Sequence, residues 1–463
     1  MSDLKKNELV TVRITEMNNM GCGVGHIEEG NRAGSVIFVR GTVTGETVQA
    51  RIIKLTRTYA VGRCEAILTP SPLRADKPFC DAPQACGGCV YRNVSYEHEL
   101  SVKREYVANA FRKAGLADVA VAEVQHTGKQ AHYRNKAQYP LRMGKNGIET
   151  GFYATGTHTV IPSASCMIGN EVFSPIAQAF CRIATKLGLS VYDEHTGKGL
   201  LRRLSLRIGE QTGQIMVCIV INGSRLPSEE AIRDELCALF PNIVSILINI
   251  NQKNTNVIMG ERTQVVYGTP YIEDILCGKR FRISAESFYQ VNRDGAELLY
   301  TLAAELSALD GTQTLIDLYC GTGTVGLSMS DKARRLVGVE IVPEAVACAR
   351  INAEQNGTQN AEFVCADASD IRKAPVFHTV DAAHSVVVID PPRKGSTREV
   401  ITFLSDKGFS RIVYISCDPD TLARDAALFR ELGYEIGTVY PVDMFPRTGH
   451  VESVVCLKRQ IQQ

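Results

Sequence analysis

The sequence predicts a multidomain chain in three parts: a small closed β-barrel of five strands, a central α+β domain carrying a cysteine loop, and a doubly wound α/β domain at the end. Three observations predict it. Residues 1–65 alternate short β-rich runs with glycine turns, residues from about 280 onward alternate apolar strands with helices, and the stretch between mixes both and holds a tight cysteine triplet. The boundaries fall at 1–65, 66–270 and 271–463.

A chain of 463 residues with 44% hydrophobic content can bury a core in each part. Charged residues make up 22%, and no run approaches the ~18 consecutive apolar residues of a membrane span, so no membrane partner is expected. The start, MSDLKKNELVTVRI, lacks the apolar run and small-residue cleavage site of a secretory signal, which points to a cytoplasmic location. The net charge of +1 hides an asymmetry: residues 1–150 hold 21 Lys/Arg against 15 Asp/Glu, the remainder 30 against 35. A basic front admits a polyanion. Fifteen cysteines, an odd number scattered through apolar runs, argue against a disulfide scaffold.

In chain order, the runs LVTVRI, SVIFV, TVQARIIKL and YAVGRCEAI, separated by the turns MGCGVG, EEGNRAG and VRGTVTGE, read as an OB-like barrel. Over 40–63, Arg40, Arg51, Lys54, Arg57 and Arg63 stand against Glu46 alone, which suits an RNA backbone or else is a solvated face. A Pro-rich connection follows, then Cys80, Cys86 and Cys89 in a C-x5-C-x2-C pattern wrapped by Gly87 and Gly88. Three thiols this close demand a fourth ligand. Residue types alone leave open both zinc, completed by Cys64 or His98, and an iron–sulfur cluster. EHELSVKREYVANAFRKAGL reads as a helix ending at Gly115. Between 129 and 145 lie Lys129, Arg134, Lys136, Arg142 and Lys145 without an acid, interleaved with Tyr133 and Tyr139, offering phosphate contacts and stacking surfaces.

From about residue 280 the strands TLIDLYC, RLVGVE, AEFVCAD, SVVVID and RIVYISC alternate with helices and build a Rossmann-like sheet; YEIGTVYPVDMF and HVESVVCLKR close it, the last strand expected antiparallel at the edge. Asp317 and the turn around Gly321 and Gly323 leave the first strand and open a helix, where only glycine lets backbone approach a ligand closely. The spacing is not the dinucleotide GxGxxG. Glu340, 23 residues on, stands where it can accept from two ribose hydroxyls, and Asp367 where it can accept from an adenine amino group. These residues read as an S-adenosylmethionine pocket. At the ends of the next strands stand Asp390, stiffened by Pro391 and Pro392, and Cys417, whose following helix N-terminus is expected to favour a thiolate. Glu452 is by pattern either a proton acceptor or an edge cap. Arg447 can hold a phosphate or a salt bridge.

FYQVN, DLYCGTG, LVGVE, DPPRKG, ISCDP and GHVE, six separated motifs in order, resemble the RNA uracil-5-methyltransferase family over nearly the whole chain. The closest likeness in architecture is to the iron–sulfur-containing 23S ribosomal RNA members with an N-terminal TRAM domain. The resemblance implies Cys417 as nucleophile, Glu452 as general base, Asp390 against the target uracil, and Gln290 with Phe288 at the methyl donor, Asn292 standing beside them. It also implies a [4Fe-4S] cluster on Cys80, Cys86, Cys89 and a distant fourth ligand, Cys166 in IPSASC. The residue types suit that chemistry. Uracil C5 is too weak a nucleophile alone, so a thiolate adds to C6, C5 then attacks the sulfonium methyl, and a base removes the C5 proton as the cysteine leaves. The uridine must first be flipped from its stack. The implied product is 5-methyluridine in large-subunit ribosomal RNA, made by a monomer with no obligate protein partner. Transfer RNA is the alternative substrate, and a non-catalytic RNA-binding assembly protein the alternative of another class.

Overall fold

The computed structural model describes residues 5–28, 33–255, 257–368 and 376–460. Strands β1 (Leu9–Met17), β2 (Cys22–Ile27), β3 (Val36–Arg40), β4 (Thr47–Leu55) and β5 (Tyr59–Thr69) close into a barrel in the order β1-β2-β3-β5-β4. Period-two alternation puts Val12, Ile14, Ile37, Val39, Val48, Ala50 and Ile52 inside. Helix α1 (Tyr96–Lys113) begins at Ser95, whose side chain accepts from the His98 amide, and ends as expected just before Gly115. Its apolar face does not serve the central domain. Val107, Ala110 and Phe111 enter the core of the C-terminal domain.

The central domain is a seven-stranded sheet of β6 (Lys136–Gly144), β7 (Gly147–Tyr153), β8 (Val160–Pro162), β9 (Leu201–Ile208), β10 (Ile215–Ile221), β11 (Ile243–Ile250) and β12 (Arg262–Gly268), ordered β12-β11-β10-β9-β6-β7-β8. Helices α2 (Phe173–Lys186) and α3 (Glu229–Leu239) share its core. A hairpin, β13 (Tyr271–Leu276) and β14 (Lys279–Ser284), leads to α4 (Arg293–Ser307).

The C-terminal domain continues β15 (Thr314–Leu318), α5 (Thr324–Met329), β16 (Arg335–Glu340), α6 (Pro343–Gln355), β17 (Ala361–Cys365), α7 (Val376–Thr379), β18 (Ser385–Ile389), α8 (Arg398–Lys407), β19 (Arg411–Ser416), α9 (Pro419–Glu431), β20 (Tyr434–Ile436), β21 (Tyr440–Val442) and β22 (Glu452–Arg459). Strands β17-β16-β15-β18-β19 are mutually parallel, so their carboxyl ends form one edge. The last strand is antiparallel as expected but is not at the edge. It inserts between β19 and β20 and also pairs with β21, because its six consecutive buried residues require cover on both faces. No helix among the described residues is long and apolar enough to cross a membrane.

A buried charge network joins the parts. Lys103 Nζ on α1 donates to Glu99 Oε1 and Asp443 Oδ1, both at 2.7 Å, and to the Phe445 carbonyl at 3.2 Å. Tyr96 Oη donates to Asp443 Oδ2 at 2.8 Å, and the Arg447 amide to Glu99 Oε1 at 2.7 Å. Tyr133 Oη reaches the Pro446 carbonyl at 2.9 Å, and Asn292 Nδ2 the Met444 carbonyl at 2.9 Å. Residues 443–447, which lead to Glu452, are thus held at every position. Replacing Lys103 by Met leaves the buried Asp443 without its cation and Glu99 with Arg447 alone. The expected cost is about 3–5 kcal/mol, read as a fall in Tm or denaturation midpoint.

Candidate functional site

The loop leaving β15 is held in a strained shape. Tyr319, Gly321 and Gly323 all have left-handed backbones, at φ +64°, +54° and +83°, and Tyr319 does so without a glycine's freedom. The Gly326 amide donates to Asp317 Oδ2 at 2.8 Å, and a Cβ on Gly326 would stand 2.8 Å from that oxygen, so glycine lets α5 start this close. The other carboxylate oxygen of Asp317 is buried without a partner. Burial pushes the Asp317 carboxyl up to about 8, against the Gly326 bond, with Asp390 and Glu340 adding to the rise. Glu340, at the end of β16, accepts from the Gly321 amide at 3.1 Å and the Val342 amide at 2.9 Å, so it props the turn while facing the same edge. Asp367 is exposed just past β17. Gln290 is buried, and Asn292 beside it caps α4 by accepting from the Gly295 amide at 3.0 Å. Phe288 is 69% exposed, an aromatic face open to a ligand at the same loop.

Cys417 and Glu452 come together through strand register. Antiparallel pairing of Ser416 on β19 with Ser453 on β22 sets the two residues opposite each other one step on. Glu452 is 4% exposed, and burial followed by the Asp390 charge pushes its carboxyl from near 4.5 to about 8, with Arg393 opposing. Burial alone lifts Asp390 to about 7. The thiolate expectation for Cys417 is overturned: burial, then Glu452 and Asp390, push the thiol up to about 11. The helix offers no rescue, because Asp418 Oδ1 itself accepts from the Asp420 and Thr421 amides, both at 3.1 Å. Cys417 therefore rests as a thiol beside the buried carboxyl groups of Glu452 and Asp390.

Cys80, Cys86, Cys89 and Cys166 line one cavity of about 400 Å³. Arg92 shapes the loop by donating to the carbonyls of Cys80 at 2.5 Å and Ala82 at 2.7 Å, while the Gly87 amide docks it on the Tyr153 carbonyl at 3.1 Å. Burial, then the charges of Cys166, Cys80 and Cys86, lift the Cys89 thiol to about 12. The shared charge of the four sulfurs would be relieved only by a cationic group bound among them. Among the described residues no three His, Cys, Asp or Glu side chains are arranged to hold a single ion. The four cysteines are soft sulfur donors of the kind that would hold an iron–sulfur cluster. Arg134 Nε and Tyr139 Oη, both from residues lining the cavity, are buried without a partner. Cys64 and His98 are not part of the lining; Cys64 pairs across the barrel with Ala50, and His98 Nε2 meets Thr44 Oγ1 at 3.0 Å.

The basic stretches divide. Arg51 and Arg63 both pair with Glu65, at 3.0 and 2.8 Å, an acid just beyond the 40–63 window, whereas Arg40, Lys54 and Arg57 are exposed. Tyr133 and Tyr139 are 0% and 3% exposed and give no stacking surface. Lys129 pairs with Asp294 and Arg142 with Glu149. Arg447 serves the salt bridge: its guanidinium lies on Glu99 and Gln130 and over the Phe79 ring, buried away from any phosphate. A groove of about 610 Å³ does run between barrel and α1, from His26 and Phe38 past His98 and Tyr106 to Asp420, at the start of the helix that follows Cys417.

Residues 95–460 match the family model described as tRNA (Uracil-5-)-methyltransferase, and residues 4–64 match the TRAM domain. A Bacillus cereus protein named as an uncharacterized RNA methyltransferase is 40% identical over 457 residues, 98% of each chain. One from Clostridium tetani bearing the same name is 38% identical over 454 residues, 98% of this chain and 97% of its own. The solved structure of Pyrococcus abyssi tRNA (uracil-54, C5)-methyltransferase, in complex with S-adenosyl-L-homocysteine, is 24% identical with a TM-score of 0.76, covering 96% of this chain and 99% of that one. It shares the fold.

The raised Glu452 carboxyl gives a test of the site's electrostatics. With a folded value near 8 and an ordinary one near 4.5, the stability it contributes is present below about pH 4.5 and lost as pH climbs through 8. Glu452→Gln, neutral throughout, is expected to melt above the wild type by a margin that widens from about pH 5.5 to about pH 8.5. A margin that stays flat with pH would show that Glu452 is not held protonated.

Proposed function

The chain belongs to the tRNA (uracil-5-)-methyltransferase family, and from that footing we propose that it methylates C5 of a uridine in 23S ribosomal RNA, with Cys417 as nucleophile. The observation that carries the chemistry is the β19–β22 register that sets Cys417 against Glu452 with Asp390 alongside. S-adenosylmethionine, held by Gln290, Asp317, Gly321, Gly323, Glu340 and Asp367, supplies an electrophilic methyl group. Cys417 Sγ adds to C6 of the flipped uracil and turns C5 into a nucleophile, its thiol proton passing to a neighbouring carboxylate. Asp390 holds the uracil edge. C5 would then take the methyl group as its bond to the sulfonium breaks and S-adenosylhomocysteine leaves; Glu452, in its ionised form, takes the C5 proton and the Sγ–C6 bond breaks, restoring the ring.

The cavity of Cys80, Cys86, Cys89 and Cys166 is assigned to a [4Fe-4S] cluster that braces the central domain. The exposed Arg40, Lys54 and Arg57 and the groove leading to Asp420 support an RNA path across the barrel to the strand ends. Ribosomal RNA rests on the resemblance of the barrel and the cysteine loop, taken together, to the 23S ribosomal RNA members. Transfer RNA is the second reading, favoured by the fold shared with the Pyrococcus abyssi enzyme over nearly the whole chain. Mass mapping of unmodified large-subunit RNA and transfer RNA after incubation with S-adenosylmethionine separates them. One methyl gained on a ribosomal uridine supports the proposal. Transfer to tRNA alone overturns the substrate, and transfer to neither favours a binding role.

On RNA containing 5-fluorouridine, whose C5 fluorine cannot leave as a proton, the wild type is expected to form a denaturation-resistant adduct and Cys417→Ala none. Glu452→Gln is expected to accumulate adduct on ordinary RNA while product falls about 10²-fold or more. Cys86→Ser is expected to lose the brown visible absorbance and to melt lower, with iron and sulfide assays as the check.

A further inference from the structure

We propose that Asn135 is a positioning residue that ties the seat of the methyl donor to the four-cysteine centre. The proposal rests on the assignment of Gln290 to the S-adenosylmethionine pocket. Residues 132–135 run between two segments and are hydrogen-bonded to both. On one side the His132 amide donates to the Met167 carbonyl at 2.7 Å, the Arg134 amide to Ile168 at 2.9 Å, and the Asn170 amide back to Arg134 at 3.0 Å, so this segment is zipped to the residues that follow Cys166. On the other side the Asn135 amide donates to the Val291 carbonyl at 2.8 Å and its side-chain Nδ2 to the Gln290 carbonyl at 2.9 Å. Ile208 anchors the end of the segment by donating to the Asn135 carbonyl at 2.9 Å.

Asn135 is 2% exposed, so its bond to Gln290 has no water to replace it. Arg134 and Val291 both line the cysteine cavity, which places the two zipped segments against the same body. A shift of Cys166 therefore moves 167–170, then 134–135, then the Gln290 carbonyl. The chain continues past Gln290 to Asn292, whose side chain holds the Met444 carbonyl in the loop that leads to Glu452. Energetic coupling through such a contiguous hydrogen-bonded path is reciprocal: what steadies one end steadies the other.

The test uses the full-length protein with its metal centre loaded and S-adenosylhomocysteine as probe. Asn135→Ala is expected to raise the Kd for S-adenosylhomocysteine on the order of tenfold while the visible spectrum of the metal centre is unchanged. At saturating methyl donor, kcat is expected to fall by less than KM rises. By reciprocity, S-adenosylhomocysteine is expected to slow hydrogen exchange at the Arg134 and Asn170 amides in the wild type, and this protection is expected to vanish in the variant. A purely structural role would not produce that ligand-dependent protection. Should Asn135→Ala fail to fold, Asn135→Ser, a small neutral residue whose shorter side chain gives up the bond to the Gln290 carbonyl, takes the same measurements. Unchanged Kd in a folded variant, or no ligand-dependent protection in the wild type, overturns the link. If the wild type binds no S-adenosylhomocysteine at all, the pocket assignment falls first and the link with it.

Discussion

A single buried ammonium, Lys103 Nζ, is the constraint on which the arrangement of this chain depends. It satisfies Glu99 and Asp443 together, 1% exposed itself and with both partners fully buried. A buried carboxylate without such a partner costs several kcal/mol, and burial does raise the Glu99 carboxyl even here, with Lys103 pulling the other way. The three charges make sense only as a set. Because Glu99 and Lys103 sit on α1 and Asp443 precedes the strand carrying Glu452, the set fixes a helix near the start of the chain against a loop near its end. Tyr91 adds the barrel, its hydroxyl donating to the Asn18 carbonyl at 3.0 Å. Once these parts are set, the carboxyl ends of the parallel strands face a wall contributed by the front of the chain.

At the strand ends the electrostatics run against the expectation that a cysteine before a helix N-terminus rests as a thiolate. Asp317, Asp390 and Glu452 crowd one edge of the sheet, each lifted toward or beyond neutrality by burial. Arg393 opposes the rise at Cys417 and Glu452. The site therefore holds protons near neutral pH and can give or take them over small changes in surroundings, as when a heterocycle displaces water.

Much of this was legible in the sequence for a physical reason: short-range periodicity and fixed spacing survive reading along one dimension. Alternation marked the barrel, strand–helix grammar marked the parallel sheet, and Cys417 and Glu452 stood in motifs whose strands proved to be neighbours. Cys80, Cys86, Cys89 and Cys166 were named before geometry showed that they share a cavity. What stayed hidden was decided by partners distant in sequence. The insertion of β22 between β19 and β20 follows from burial on both faces, not from any local signal. Tyr133 and Tyr139 looked like stacking surfaces because their polar neighbours are basic, yet tertiary packing buries both. Asp418 could have warned against a thiolate: an Asp at a helix start, with Pro next, is a capping residue that consumes the very amides a thiolate would use.

Gly449, three residues before Glu452, approaches the barrel so closely that a Cβ there would stand 1.6 Å from the Asn19 carbonyl oxygen. The barrel is therefore no detachable reading head on a tether. Its turn between β1 and β2 is one of the surfaces against which the segment leading to Glu452 is moulded. Exchange of this barrel for that of a relative would leave the segment before Glu452 in place only if the donor's turn presented its backbone at the same depth. Recombination between such proteins is thus restricted at a seam that domain boundaries drawn along the chain would place in open linker.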